Sequence, residues 1–182
     1  MIRLASSSQT RAKLLKDAGI DFIQQSVDFD EDGIIATSPK NFVYIATLGK
    51  YETNLKSFGY SDYPLLVADT VVTTQNKILR KAKSIEEARE ILLLQSGSNV
   101  SIITCMIFHS QAIKIIDISQ TTYNFEIFDL EDIESFLNSG EWMGKAGACM
   151  VEGFCKKYIK SVRGYESTAM GLNIEVLKIF CK

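Results

Sequence analysis

Two long runs of strand-forming residues, Val100 to Phe108 and Ile113 to Phe128, follow each other across Ser110-Gln111. Their β-branched and aromatic content predicts two long strands, antiparallel neighbours joined at that turn. Shorter strand and helix patterns alternate on either side. This interleaving predicts an α/β fold, a large mixed sheet flanked by helices. The 182 residues, 46% hydrophobic, suit one domain spanning 1–182 with a sizeable core.

Local signals place the other elements. Ile2 to Ala5 reads as a short buried strand, and the turn Ser6-Ser7-Ser8-Gln9 leads into a helix that ends near Gly19. Phe22 to Val27 is expected as a second strand, followed by the acidic loop Asp28 to Gly33. Ser38-Pro39 is a helix start, with serine as N-cap and proline at the first helical position, and the helix runs to about Ser57. Leu65 to Thr73 and Ile78-Leu79 read as strands joined at Gln75-Asn76-Lys77. Ser84 with Glu87 fits a capping box for a helix through Leu94, and Asp129 caps another through Leu137. Short strands are expected around Ala148 to Val151 and Tyr158 to Val162, and a final helix from about Leu172 to Phe180.

Composition removes several classes. A net charge of −2 argues against a nucleic-acid polymer as partner, so any anion site must be built locally from a few placed cations. No signal-like leader and no run of about 18 apolar residues is present. A soluble, cytoplasmic protein without a membrane partner is therefore expected. Cys105, Cys149, Cys155 and Cys181 form no Cys-x-x-Cys pair, and His109 is the only histidine, which disfavours zinc. Buried reduced thiols are expected, and any metal should be a hard cation held by oxygen, Mg²⁺ or Mn²⁺.

Five features carry potential chemistry. In Ala5-Ser6-Ser7-Ser8-Gln9-Thr10-Arg11, small hydroxyl residues leave backbone N–H groups accessible at a helix start, where the dipole favours an anion. Arg11 could add a bidentate phosphate contact, although plain N-capping by serine, which is common, is the reading the residues alone favour. Asp69 lies inside the apolar run Leu65 to Val72, where an unpaired carboxylate costs several kcal/mol. It needs a strand end, a cation or a metal. Lys50 and Lys81 are ordinary surface lysines when taken singly. Asp30-Glu31 is either a solvated loop or a source of a metal ligand, and Gly144-Lys145-Ala146-Gly147 is a weakly specific glycine-rich turn.

The order of these features, more than any one of them, carries a resemblance. Ala5 to Arg11, Asp30-Glu31, Ala46-Thr47-Leu48-Gly49-Lys50, Ala68-Asp69-Thr70-Val71-Val72, Ile78-Leu79-Arg80-Lys81, Leu94 to Gly97 and Ser139 to Gly147 resemble, along the whole chain, the Maf family of nucleotide pyrophosphatases, also called septum-formation inhibitors. The resemblance implies an elongated mixed sheet related to inosine-triphosphate pyrophosphatases, with two lobes and a cleft, and commonly a homodimer. It implies hydrolysis of a nucleoside triphosphate to monophosphate and pyrophosphate with a divalent metal. By matching position, Asp69 looks like the catalytic base and Glu31 a metal or water partner. Glu31 and Asp69 together would be the metal carboxylates. Ser6, Ser8, Arg11, Lys50 and Lys81 look like the phosphate-binding set, and Thr10, Thr70 and Glu152 fall on positions tied to base selection.

The chain departs from the family pattern at Gln9, Thr10, Arg80, Ala82 and Asn173. Thr10 removes a cation beside the expected phosphate site. Glu152 matches the subfamily favouring 7-methyl-GTP, whereas Thr70 and the segment Gly140 to Gly147 match the one favouring dTTP and UTP. The expected substrate is dTTP, UTP or a modified nucleotide. A 7-methyl-GTP pyrophosphatase, or a weakly active nucleotide-binding regulator of cell division, is the alternative.

Overall fold

The structure, a computed structural model, describes residues 1–59 and 62–181. In chain order the strands are β1 (Ile2–Leu4), β2 (Phe22–Gln24), β3 (Leu65–Thr74), β4 (Lys77–Leu79), β5 (Asn99–His109), β6 (Lys114–Phe125) and β7 (Ile159–Arg163). The helices are α1 (Gln9–Asp17), α2 (Pro39–Phe58), α3 (Ile85–Gln95), α4 (Leu130–Ser139), α5 (Glu166–Ala169) and α6 (Ile174–Phe180), with a 3-10 turn at Phe154–Tyr158. Among the described residues the strands form a seven-stranded sheet in the order β2-β1-β3-β5-β6-β7, with β4 on β3. β1 pairs in parallel with β2 and β3, while β3–β4 and β6–β7 are antiparallel. The sheet is mixed, as expected.

The helix starts follow their side chains. Ser8, Ser38 and Ser84 each accept a backbone N–H three residues on, and Asp129 accepts from Glu131 and Asp132. Glu87 returns to the backbone N–H of Lys83, not of Ser84, at 2.7 Å.

The chain divides into two compact units: Met1–Thr70, Ile103–Gln120 and Tyr165–Lys182 form one, and Val71–Ile102 with Thr121–Gly164 the other. In the first, strand alternation sorts the core. Leu66 and Ala68 of β3 pack with Leu15 of α1, Met106 and Phe108 of β5, and Leu177 of α6. Leu65 and Val67 pack with Ile107 and with Tyr51 of α2. Burying Leu66 or Leu15 completely contributes roughly 2 kcal/mol each. The same alternation continues outward: Asp69 takes the α2 face and Thr70 the α1 face. In the second unit α3 packs on α4, and Phe128, Phe136, Phe154 and Tyr158 form an aromatic cluster.

Several expectations are corrected. Ala148 to Val151 is not a strand. Gly147 and Ala148 take left-handed backbone (φ +71° and +56°), which breaks the extended run. β2 stops at Gln24, and β6 at Phe125, where the pairing with β7 is irregular. The last helix begins at Ile174, and the short α5 precedes it. Cys149 and Cys155 are joined as a disulfide, not reduced thiols, with Cα atoms 6.7 Å apart; Cys105 and Cys181 are free. No helix among the described residues is long and apolar enough to cross a membrane.

Candidate active site

Asp69 is buried, 7% exposed, and α2 supplies the cation that its position demands. Lys50 Nζ lies 2.6 Å from Asp69 Oδ1 and 2.5 Å from Glu31 Oε1. One ammonium thus bridges two carboxylates, leaving the cluster a net negative charge. The second oxygen, Asp69 Oδ2, is buried without a hydrogen-bond partner. A buried carboxylate lone pair left unmatched is costly, so this atom is suited to receive a proton or a hard cation.

The pair also passes a test for metal. Mg²⁺ is bound by one or two carboxylates, with the remaining ligands from substrate phosphates and water. Glu31 and Asp69 with the unmatched Oδ2 fit that donor set. Among the described residues no group of three or more His, Cys, Asp or Glu is positioned to hold a metal without such help.

The acidic loop reaches Lys50 because a glycine lets it. Gly49 has no side chain where the Phe29 ring lies; a Cβ there would stand 2.2 Å from the ring Cζ. Phe29 seated on α2 carries Glu31 to the next residue of the helix. Neither Gly49 nor Phe29 was among the sequence candidates, because each reads locally as an ordinary helix and loop residue.

On the opposite face of β3, Arg11 is held on three sides. Its Nε donates to Gly171 O, Nη1 to Ser6 Oγ and Nη2 to Thr70 Oγ1, each at 3.0 Å. Ser8 Oγ accepts from the Arg11 backbone N–H as the cap of α1, and Ser8 N donates to Ser6 Oγ, the same oxygen that receives Arg11 Nη1. Burial pulls the Arg11 pKa below its usual value, and the nearby carboxylates of Asp69 and Glu31 oppose that shift. The guanidinium stays protonated.

Ser6, Ser8, Arg11, Glu31, Lys50, Asp69 and Thr70 therefore gather in the first unit. Thr10 sits half-buried at the start of α1. Lys81 belongs to the second unit, where it is exposed and its backbone bridges Ala146. Glu152, also in the second unit, is exposed on a turn inside the loop that Cys149 and Cys155 close. Asn173 has a structural account: its side chain caps α6 through Val176 N and donates to Ser119 Oγ at 2.7 Å. Burial pushes the Cys105 thiol up to about 11, so it is neutral near pH 7 and inert.

This is a mixed α/β protein in which a serine-rich strand–turn–helix and a lysine-bridged carboxylate pair share one unit. The chain belongs to the Maf family: the model described as Maf-like protein matches residues 1–181. It is 55% identical to a nucleoside triphosphate pyrophosphatase of a Nitratiruptor species, over 100% of this chain and 99% of the relative. It is 40% identical to the protein of that name from Helicobacter pylori, over 96% and 91% of the two chains. It is 39% identical to one from Campylobacter jejuni, over 99% and 100%.

Proposed function

We propose that this chain is a nucleoside triphosphate pyrophosphatase that hydrolyses an NTP to the monophosphate and pyrophosphate. The observation that carries the reading is Asp69, fixed through Oδ1 on Lys50 while Oδ2 is buried and unmatched. Attack of water on the α-phosphorus forms one P–O bond and breaks the bridge to the β-phosphorus, and pyrophosphate leaves. Asp69 Oδ2 accepts the proton of the attacking water, a general-base role. Glu31 orients that water and, through Lys50, holds Asp69 in place.

Positive charge on the triphosphate tail comes from Lys50, Arg11 and Lys81, with Ser6, Ser8 and the N–H groups at the start of α1 as further donors. Glu31 and Asp69 would hold a divalent cation, Mg²⁺ or Mn²⁺, which when bound neutralises charge on the phosphates. Thr10, Thr70 and Glu152 would set base preference. dTTP or UTP is the preferred reading, and Glu152 favours 7-methyl-GTP as the second. A homodimer working in the cytoplasm accompanies this reading, and a role in septum formation is its physiological extension.

The test is pyrophosphate release from a panel of normal and modified triphosphates with Mg²⁺ or Mn²⁺. Release from at least one nucleotide, with the monophosphate in equal amount, is expected. Nucleotide binding without pyrophosphate release would favour the regulator instead.

A further inference from the structure

Thr104 lies in β5, 1% exposed, amid an otherwise apolar run from Ile102 to Phe108. Its hydroxyl has one proton, and a carbonyl can only accept. Thr104 Oγ1 donates to Thr168 O at 2.8 Å, so the 2.9 Å contact with Thr70 Oγ1 must be donated by Thr70. Thr70 has then spent its own proton and can only accept from Arg11 Nη2, which as a guanidinium always donates. The direction of every proton along Arg11–Thr70–Thr104–Thr168 is fixed by the two ends.

The far end of this chain closes on itself. Thr168 O also accepts Gly171 N at 3.1 Å, and Gly171 O accepts Arg11 Nε. A Cβ on Gly171, which has φ +107°, would stand 3.1 Å from Arg11 Nε and 3.4 Å from Thr70 Oγ1. The turn 168–171 thus supports Arg11 by one carbonyl directly and by another through two hydroxyls. Three of the five guanidinium N–H groups are used on these supports and on Ser6, leaving two, in a fixed plane, to meet a ligand.

We propose that Thr104 is a positioning residue of the reaction: through Thr70 it sets the plane of Arg11, and so the affinity of the site for the phosphate tail. This rests on the pyrophosphatase reading above. Without the Thr104 hydroxyl, the Thr70 proton has no acceptor in this direction, and a rotated Thr70 offers Arg11 its proton in place of its lone pair. The guanidinium then loses one of its three supports. Thr70 also stands among the residues proposed for base choice, so the effect on the phosphate tail is read with a ligand that has no base.

The experiment compares the native protein, Thr104→Val, Thr104→Ser and Arg11→Lys, each checked by circular dichroism and melting. Thr104→Val, nearly isosteric, is expected to raise KM about ten-fold for each triphosphate that the native protein hydrolyses. It should also weaken competitive inhibition by inorganic pyrophosphate, which carries no base and so reports the Arg11 contact apart from any effect on base choice. Thr104→Ser restores most of that affinity. In an Arg11→Lys background the Val substitution adds no further loss, whereas a merely structural role for Thr104 would add its full effect. An unchanged KM and pyrophosphate inhibition in a folded Thr104→Val protein, or full additivity with Arg11→Lys, overturns the proposal. If the Val variant does not fold, the Ser variant decides, in the Arg11→Lys background as well: a loss of affinity there that adds to that of Arg11→Lys overturns it. A native protein that releases no pyrophosphate from any nucleotide refutes the activity itself, a result separate from these.

Discussion

The ring of Phe29 occupies the space that a side chain on Gly49 would fill, at 2.2 Å from the position of a Cβ. That contact fixes the acidic loop on α2 one residue before Lys50, and the 2.5 Å ion pair of Lys50 with Glu31 follows from it.

Gly49→Ala therefore sets two effects against each other. Replacing glycine inside a helix gains about 1 kcal/mol of helix propensity, while the ring must leave its seat. The melting temperature is expected to change little, and pyrophosphate release to fall about ten-fold as Glu31 loses its register. Phe29→Ala in the same chain makes room for the new methyl and should leave stability near native without restoring the rate. A Gly49→Ala protein with native turnover would show that the loop does not depend on this seat.

Glu152 is among the residues proposed to set base preference. Glu152→Gln is expected to shift the ratio of kcat/KM toward dTTP and UTP over 7-methyl-GTP by roughly ten-fold. The ratio, measured with both substrates on both proteins, should move while the rate on the better substrate stays of the same order. An unchanged ratio removes Glu152 from base selection.

Lys157, first, and Tyr158 donate to Asp132 and hold its carboxyl below the ordinary value. Asp132 also lies in the first turn of α4, where the helix dipole favours a negative charge. The sign follows from the lowered folded-state pKa. The stabilisation is complete above the unfolded carboxyl value, about 3.9, and is lost as pH falls through the lower folded value. Asp132→Asn should melt below the native protein at neutral pH, with the difference closing in acid. A difference that persists unchanged to the lowest pH reached would assign it to packing instead.

Much of this is legible in the amino-acid sequence alone. The serine caps at Ser8, Ser38 and Ser84 and the strand at Leu65 carry local signals, and the structure places them as expected. A carboxylate inside the apolar run of β3 announced that Asp69 needed a strand end, a cation or a metal, yet nothing near it in sequence said which. Lys50 lies 19 residues away, on another element. Thr104 gave no sign, because its partner Thr168 is 64 residues distant and a threonine in a strand is ordinary. Ala148 misled for the opposite reason: an apolar residue in left-handed backbone has no turn chemistry to betray it. Asn173, a departure from the family pattern, is a helix cap, which its residue type allowed but its position did not require.

The most direct measurement follows the products of a nucleoside triphosphate with Mg²⁺ over native protein and Asp69→Asn. The substitution keeps the side-chain shape and an acceptor for Lys50, so the fold should remain, with Glu31 still paired to the ammonium. The native protein is predicted to give monophosphate and pyrophosphate, and the variant to lose roughly a hundred-fold or more in rate, the scale of a general base. A folded Asp69→Asn protein that releases pyrophosphate at the native rate would contradict the account.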